Sequence, residues 1–173
     1  RQVFEDTHQR HQGTILQYFG DGTLSIFKSG VEAVACAIAI QQLLNVADGI
    51  PLRIGLHTGD IVFDGTEIYG DGVNVAARIE SMGVAGGVLI SEKLNDELQN
   101  QQHLTTTSLG LFGLKNIKHP LAVFAVTNPG LVVPQRHELR GKQTVAKHTV
   151  AVLPFINRST NEEAEYLSDG MTE

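Results

Sequence analysis

Apolar and polar positions alternate in recognisable periods along most of this chain. Residues 1–12 are polar with scattered apolar positions and read as the end of a helix, with Gly13 as its stop. From Thr14 to Phe27 two apolar runs flank Gly20-Asp21-Gly22, a hairpin signature. Residues 31–45 predict a helix with Val31, Val34, Ala35, Ile38 and Leu43 on its apolar stripe. Leu52 to Phe63 reads as one long strand, and 73–82 as a second helix opened by Gly70-Asp71-Gly72. Val88–Ile90 predicts a short strand. Ser91 then caps a helix running to about Gln99. Leu104–Leu114 and Leu121–Thr127 predict two further strands. The sum is an alternating α/β domain over 1–128. Residues 129–148, with Pro134, Arg136, Arg140, Lys142 and Lys147, read as a linker. Residues 149–173 turn apolar again, as the start of a second domain.

Composition narrows the function. The 173 residues are 42% hydrophobic and 18% charged, which is globular rather than disordered. A net charge of −6 argues against a nucleic-acid binder, whose phosphate contacts need a basic face. It leaves room for a nucleotide substrate, because metal ions supply positive charge locally. Cys36 is the single cysteine, so no internal disulfide forms. It sits in an apolar helical run, as a small buried hydrophobe would. No apolar stretch approaches the roughly 20 residues of a membrane span, and the expected location is cytoplasmic. The chain begins at Arg1 rather than Met and is expected to be a fragment.

Two constellations could carry chemistry. Asp21 between two glycines can present its carboxylate where backbone and ligand approach closely, as half of a Mg²⁺ site; it also reads as a plain turn residue. In Glu67-Ile-Tyr-Gly-Asp-Gly-Val-Asn-Val-Ala-Ala-Arg78, Val75, Ile79 and Met82 form the core stripe, while Asn74 and Arg78, four apart, share a neighbouring face. A glycine-rich turn feeding a helix start favours anions, and Asn74 and Arg78 would add directed donors for phosphate. A solvated polar helix face is the alternative. His57 falls opposite Leu52, Ile54 and Leu56 and reads as structural or interfacial. There is no zinc-ligand spacing and no P-loop.

Three stretches together resemble the class III adenylyl/guanylyl cyclase family: Leu16-Gln-Tyr-Phe-Gly-Asp-Gly22, Leu52-Arg-Ile-Gly-Leu-His-Thr-Gly59 and Ile68-Tyr-Gly-Asp-Gly-Val-Asn-Val-Ala-Ala-Arg78. The resemblance implies a ferredoxin-like α+β sandwich of mainly antiparallel sheet and helices, paired head to tail as a homodimer. It implies ATP, or GTP, as substrate and two Mg²⁺ or Mn²⁺ ions per site. Asp21 matches a metal ligand of the family. Asn74 and Arg78 match the residues that bind ribose and triphosphate and stabilise the transition state. Gln17, Glu67, Gly20 and Gly22 fall at substrate- and base-binding positions.

Three departures qualify that picture. The family's first strand, with its own metal Asp, would lie before Arg1, so an open sheet edge and an inactive isolated chain are expected. Position 17 is Gln where adenine-selective members carry Lys, and position 67 is Glu where they carry Asp. The tail from Val150 to Asn157 and on to Glu173 resembles the start of a TolB-like amino-terminal domain, as found after cyclase domains in bacterial signalling proteins. The competing readings are an active homodimeric cyclase, a degenerate module that binds nucleotide or a partner without turnover, and a protein–protein module with no nucleotide site.

Overall fold

The computed structural model describes residues 2–19, 22–47, 52–63, 68–139 and 142–143. Helix α1 (Gln2–Arg10) ends before Gly13 rather than at it. Gln12 takes the left-handed turn (φ 55), and Gly13 opens β1 (Gly13–Phe19). The Phe27 ring lies where a Cβ of residue 13 would project, so any larger residue there would have to displace the ring. Strand β2 (Gly22–Phe27) pairs antiparallel with β1 as far as Phe19 opposite Gly22, so only two residues connect them. Those two, Gly20 and Asp21, lie outside the described residues, as does Glu67.

Helix α2 (Gly30–Ala47) has no single apolar stripe. Val34, Ala37 and Ile38 enter one core cluster, and Cys36, Ile40 and Leu44 enter another. A helix apolar on most sides is one buried between layers. Leu43, expected on the stripe, is instead exposed. Burial, with nearby Glu32 second, pushes the Cys36 thiol up to about 11, so it is a packing residue and not a nucleophile.

The expected long strand over 52–63 is broken in two. Strand β3 covers only Ile54–Leu56 and β4 only Val62–Phe63; β4 pairs with β5 (Ile68–Tyr69). Between β3 and β4 the chain leaves the sheet to pack against the start of α3 (Asp71–Met82). Strand β6 (Val88–Ser91) returns parallel to β3, which makes β3–α3–β6 a crossover unit. Helix α4 (Glu92–Glu97), β7 (Thr106–Gly113), β8 (Leu121–Val126) and a two-residue β9 (Lys142–Gln143) complete a five-stranded sheet in the order β3-β6-β8-β7-β9. All its pairings except β3–β6 are antiparallel.

The two faces of this sheet build two cores by strict alternation. Leu89, Val123 and Ala125 meet Val75, Ile79 and Met82 of α3. Val88, Ile90 and Val126 meet α2 and Leu94 of α4. Strand β7 keeps both Leu109 and Phe112 on the α3 side through a bulge between Ser108 and Gly110.

Strand β3 stands at one edge of the sheet and, among the described residues, pairs on one side only. The β1–β2 hairpin is a separate two-stranded sheet carried by α1 and α2.

Residues 129–139, linker-like in composition, are packed onto the domain. The Val132 N–H donates to the Gly86 carbonyl, Leu131 packs on the α2 side, and Pro134 and Leu139 are buried. The start of a further domain expected at 149–173 lies outside the described residues. No helix among the described residues is long and apolar enough to cross a membrane.

Candidate active site

The clearest part of the candidate site is the start of α3. Its N-cap is Gly70 (φ 145, ψ 150), and no side chain caps the first turn. The stripe Gly72, Val75, Ile79, Met82 is buried against the sheet. That orientation leaves Asn74 exposed and Arg78 half-buried on the adjoining face, one turn apart. Neither side chain has a hydrogen-bond or ion-pair partner among the described residues. An amide and a guanidinium so placed can donate to the same anionic ligand, and the free N–H groups of the first turn add to that potential.

A backbone lock holds this helix start. Gly55 of β3 lies directly beneath α3, where a Cβ would come 2.6 Å from the Glu80 Cα. A Cβ on Gly59 would come 2.9 Å from the Gly72 Cα, and one on Gly72 would come 3.3 Å from the Asp60 carbonyl oxygen. Glycine is needed at these positions so that two backbones can touch. Arg53 at the far side of β3 donates to Glu80 (Nε–Oε1 3.0 Å), an exposed pair that adds little by itself.

His57, next along from β3, holds the Ser91 hydroxyl at 2.8 Å through Nδ1. Ser91 is fully buried and caps α4, its Oγ accepting from the Leu94 N–H at 3.4 Å. Burial, then the nearby Lys93 charge, lowers the His57 pKa below its ordinary value, so the ring is neutral at physiological pH. The period-2 pattern gave His57 no partner. Ser91 was legible only as a helix cap, because its pairing with His57 depends on the β3–β6 register.

The hairpin supplies the other candidates. Gln17 on β1 is exposed, and Gly22 opens β2 opposite Phe19. Tyr18 next to Gln17 donates to Glu5 of α1 at 3.2 Å. The hairpin rests on α1 and α2 whereas α3 rests on β3 and β6. No hydrogen bond or ion pair joins Gln17 or Gly22 to Asn74 or Arg78 among the described residues. No group of three His, Cys, Asp or Glu side chains converges among the described residues, so they do not by themselves form a metal centre. Asp21 and Glu67, with Gly20, lie outside those residues.

The profile of the adenylate and guanylate cyclase catalytic domain matches residues 24–128, which include β2, α2, the β3–α3–β6 unit and β8. This chain belongs to that family. It is 36% identical over 182 aligned positions to putative adenylate cyclase 3 of Rhizobium meliloti, covering 100% of this chain and 31% of that protein. The chain thus spans about a third of the length of that relative. Among solved structures, the adenylate/guanylate cyclase/hydrolase from Silicibacter pomeroyi superposes with a TM-score of 0.68 at 32% identity. That match covers 75% of this chain and 80% of the other. An adenylate cyclase from Trypanosoma brucei, in its monomeric state, superposes with a TM-score of 0.70 at 21% identity over 80% of this chain and 79% of the other, a likeness of fold. The mixed, mainly antiparallel α+β architecture is therefore that of the nucleotide cyclases.

Proposed function

We propose that this domain converts a nucleoside triphosphate, ATP by preference and GTP as the second choice, to the cyclic monophosphate and pyrophosphate. The observation that carries the reading is the pair Asn74 and Arg78: neighbouring donors, without a partner among the described residues, on a helix whose other face is locked to the sheet. Neighbouring amide and guanidinium donors on a rigid support suit a phosphoryl transfer, which depends on positioning and on neutralising charge in the transition state. In this scheme Asn74 orients the ribose. Arg78 holds charge on the triphosphate as the 3′-hydroxyl oxygen bonds to the α-phosphorus and the bond to pyrophosphate breaks.

The hairpin rests on α1 and α2 while α3 rests on β3 and β6, and no hydrogen bond or ion pair joins Gln17 or Gly22 to Asn74 or Arg78 among the described residues. This supports a head-to-tail homodimer in which Arg78 of one copy meets the hairpin of another. Asp21 is the residue that would hold Mg²⁺ or Mn²⁺, Gln17 and Glu67 would read the purine edge, and Gly20 and Gly22 would let the substrate approach the hairpin. A bound divalent ion would supply charge neutralisation and a more acidic hydroxyl; the described residues by themselves do not build its site. The setting consistent with the Rhizobium relative is bacterial signalling. That alignment covers the whole chain, so it includes the tail that resembles a TolB-like segment.

The test measures cyclic nucleotide formed from ATP and GTP with Mn²⁺ by protein carrying this domain. Asp21→Ala and Arg78→Ala should each lower the rate by about 100-fold or more. Mixing the two variants should restore part of it, because one of the two sites in a mixed dimer is intact. Unchanged activity in Arg78→Ala would remove the assignment. Saturable ATP binding without product in the unaltered protein would leave a binding module in place of an enzyme.

A further inference from the structure

The first turn of α3 has no side-chain cap, yet it must present Asn74 at a fixed place. What locates it is the loop His57–Asp60. Gly59 sits against two neighbours at once: a Cβ there would lie 2.9 Å from the Gly72 Cα and 3.0 Å from the His57 Nε2. The imidazole and the Gly72 backbone thus border the same small space beside the Gly59 Cα. The Asp60 carbonyl meets Gly70 and Gly72 from the same side.

The ring is itself fixed. Its Nδ1 is 2.8 Å from the Ser91 Oγ, and Ser91 is wholly buried at the end of β6. The Ser91 oxygen already accepts from the Leu94 N–H. Its single hydrogen has His57 Nδ1 as its acceptor, which leaves the ring hydrogen on Nε2, facing Gly59. A ring hydrogen on Nδ1 instead would leave the buried Ser91 hydroxyl without an acceptor among the described residues.

We propose that His57 is a positioning residue for phosphate handling: held by Ser91, its ring fills the space beside the Gly59–Gly72 contact, fixes how the 57–60 loop meets Gly70 and Gly72, and so sets where α3 presents Asn74 and Arg78. The inference rests on the reading of Asn74 and Arg78 as substrate-handling groups. It adds a chain of contacts from the α4 cap to the phosphate-binding turn. His57 acts through that turn and touches no substrate.

Two measurements on the full chain test it, amide hydrogen exchange and calorimetric titration with ATP and Mn²⁺. His57→Leu should speed exchange over residues 70–76 by about tenfold or more, with the β6–β8 amides unchanged. His57→Asn, whose Oδ1 can take the Ser91 hydroxyl hydrogen, should stay within about twofold of the unaltered protein. Ser91→Ala, which leaves the ring but removes its donor, should resemble His57→Leu and gives a second route if the leucine variant folds poorly. In the titration, His57→Leu and Arg78→Ala should each weaken ATP binding, and the loss in the double variant should be smaller than the product of the two single losses.

Uniformly faster exchange, multiplicative losses in the double variant, or an asparagine variant as impaired as the leucine one would each overturn the proposal. If Arg78→Ala weakens ATP and His57→Leu does not, the positioning role fails and the site assignment stands. If neither variant alters ATP binding, or the unaltered protein does not bind it, the site assignment fails and the positioning role with it.

Discussion

Gly55 shows how much a single absent methyl group decides. It sits mid-strand in β3, where glycine normally weakens a sheet. Here α3 crosses so closely that a Cβ would strike the Glu80 backbone and approach the Ala76 carbonyl oxygen to 2.8 Å. Those are backbone atoms of a packed helix and cannot swing aside. Gly55→Ala should therefore cost about 1–3 kcal/mol, the usual range for overpacking, and lower the midpoint of thermal unfolding. A variant of unchanged midpoint would mean that α3 can lift off β3 freely, and the argument for a rigidly held Asn74 and Arg78 would weaken with it. The sequence made Asn74 and Arg78 legible because helical periodicity places them beside a buried stripe. It left His57 unexplained because its partner lies 34 residues away on another strand.

At the scale of elements, the segment after β8 is the informative case. Its proline and basic residues read as a linker, and local composition contains nothing to oppose that. The structure shows Arg136 using its charge for docking. Its guanidinium donates to the Leu109 and Leu111 carbonyls at 2.8 and 2.9 Å and stacks 4.8 Å from the Phe112 ring centroid. These carbonyls flank the bulge at Gly110 (φ 94), whose missing Cβ makes room for the guanidinium. A 3-10 turn over Arg136–Glu138, closed by a reciprocal cap between Gln135 and Glu138, then drives Leu139 into the α3-side core. Arg136→Ala should cost about 2 kcal/mol through the lost charged hydrogen bonds. It should also open residues 131–139 to limited proteolysis. Resistance equal to that of the unaltered protein would show that Leu139 and Pro134 hold the segment without the arginine. The long strand expected over 52–63 failed for a related reason. Alternation persists in sequence through Thr58, but close packing on Gly70 and Gly72 pulls the chain out of the sheet after Leu56.

For the molecule as a whole, a buried histidine, His8, and a half-buried one, His57, tie stability to pH. His8 packs between Phe4 and Phe27, with ring centroids 6.3 and 5.5 Å away, and its Nδ1 donates to the Phe4 carbonyl at 2.7 Å. Burial lowers its pKa foremost, the backbone hydrogen bond opposes that, and His11 lowers it further. His57 is lowered by burial and by Lys93. An unfolded histidine takes up its proton near pH 6.5, whereas these two resist protonation until lower pH. Below about pH 6.5 the unfolded chain therefore binds more protons than the folded one, and stability falls. Above that pH both rings are neutral in both states and their contribution is fully present. The urea midpoint should decline from about pH 7 to about pH 5.5, and His57→Asn should flatten part of the decline. A midpoint independent of pH over that interval would contradict the burial of both rings.

The sequence by itself determined the elements and the chemistry on offer. Alternation and helical spacing marked the hairpin, α2, α3 and the strands around Ser91, because each depends on neighbours within a few positions. Motif spacing marked Asp21, Asn74 and Arg78. Only the tertiary structure decided which of these stand together. It split the strands into a five-stranded sheet and two separate pairs, β1–β2 and β4–β5, set α3 on glycine backbones, and gave His57 its partner in Ser91. It also turned a basic, proline-bearing stretch into a docked strap. The physical reason is common to all of these. They depend on contacts between residues far apart in the chain, where register and close backbone approach, not local pattern, choose the partner.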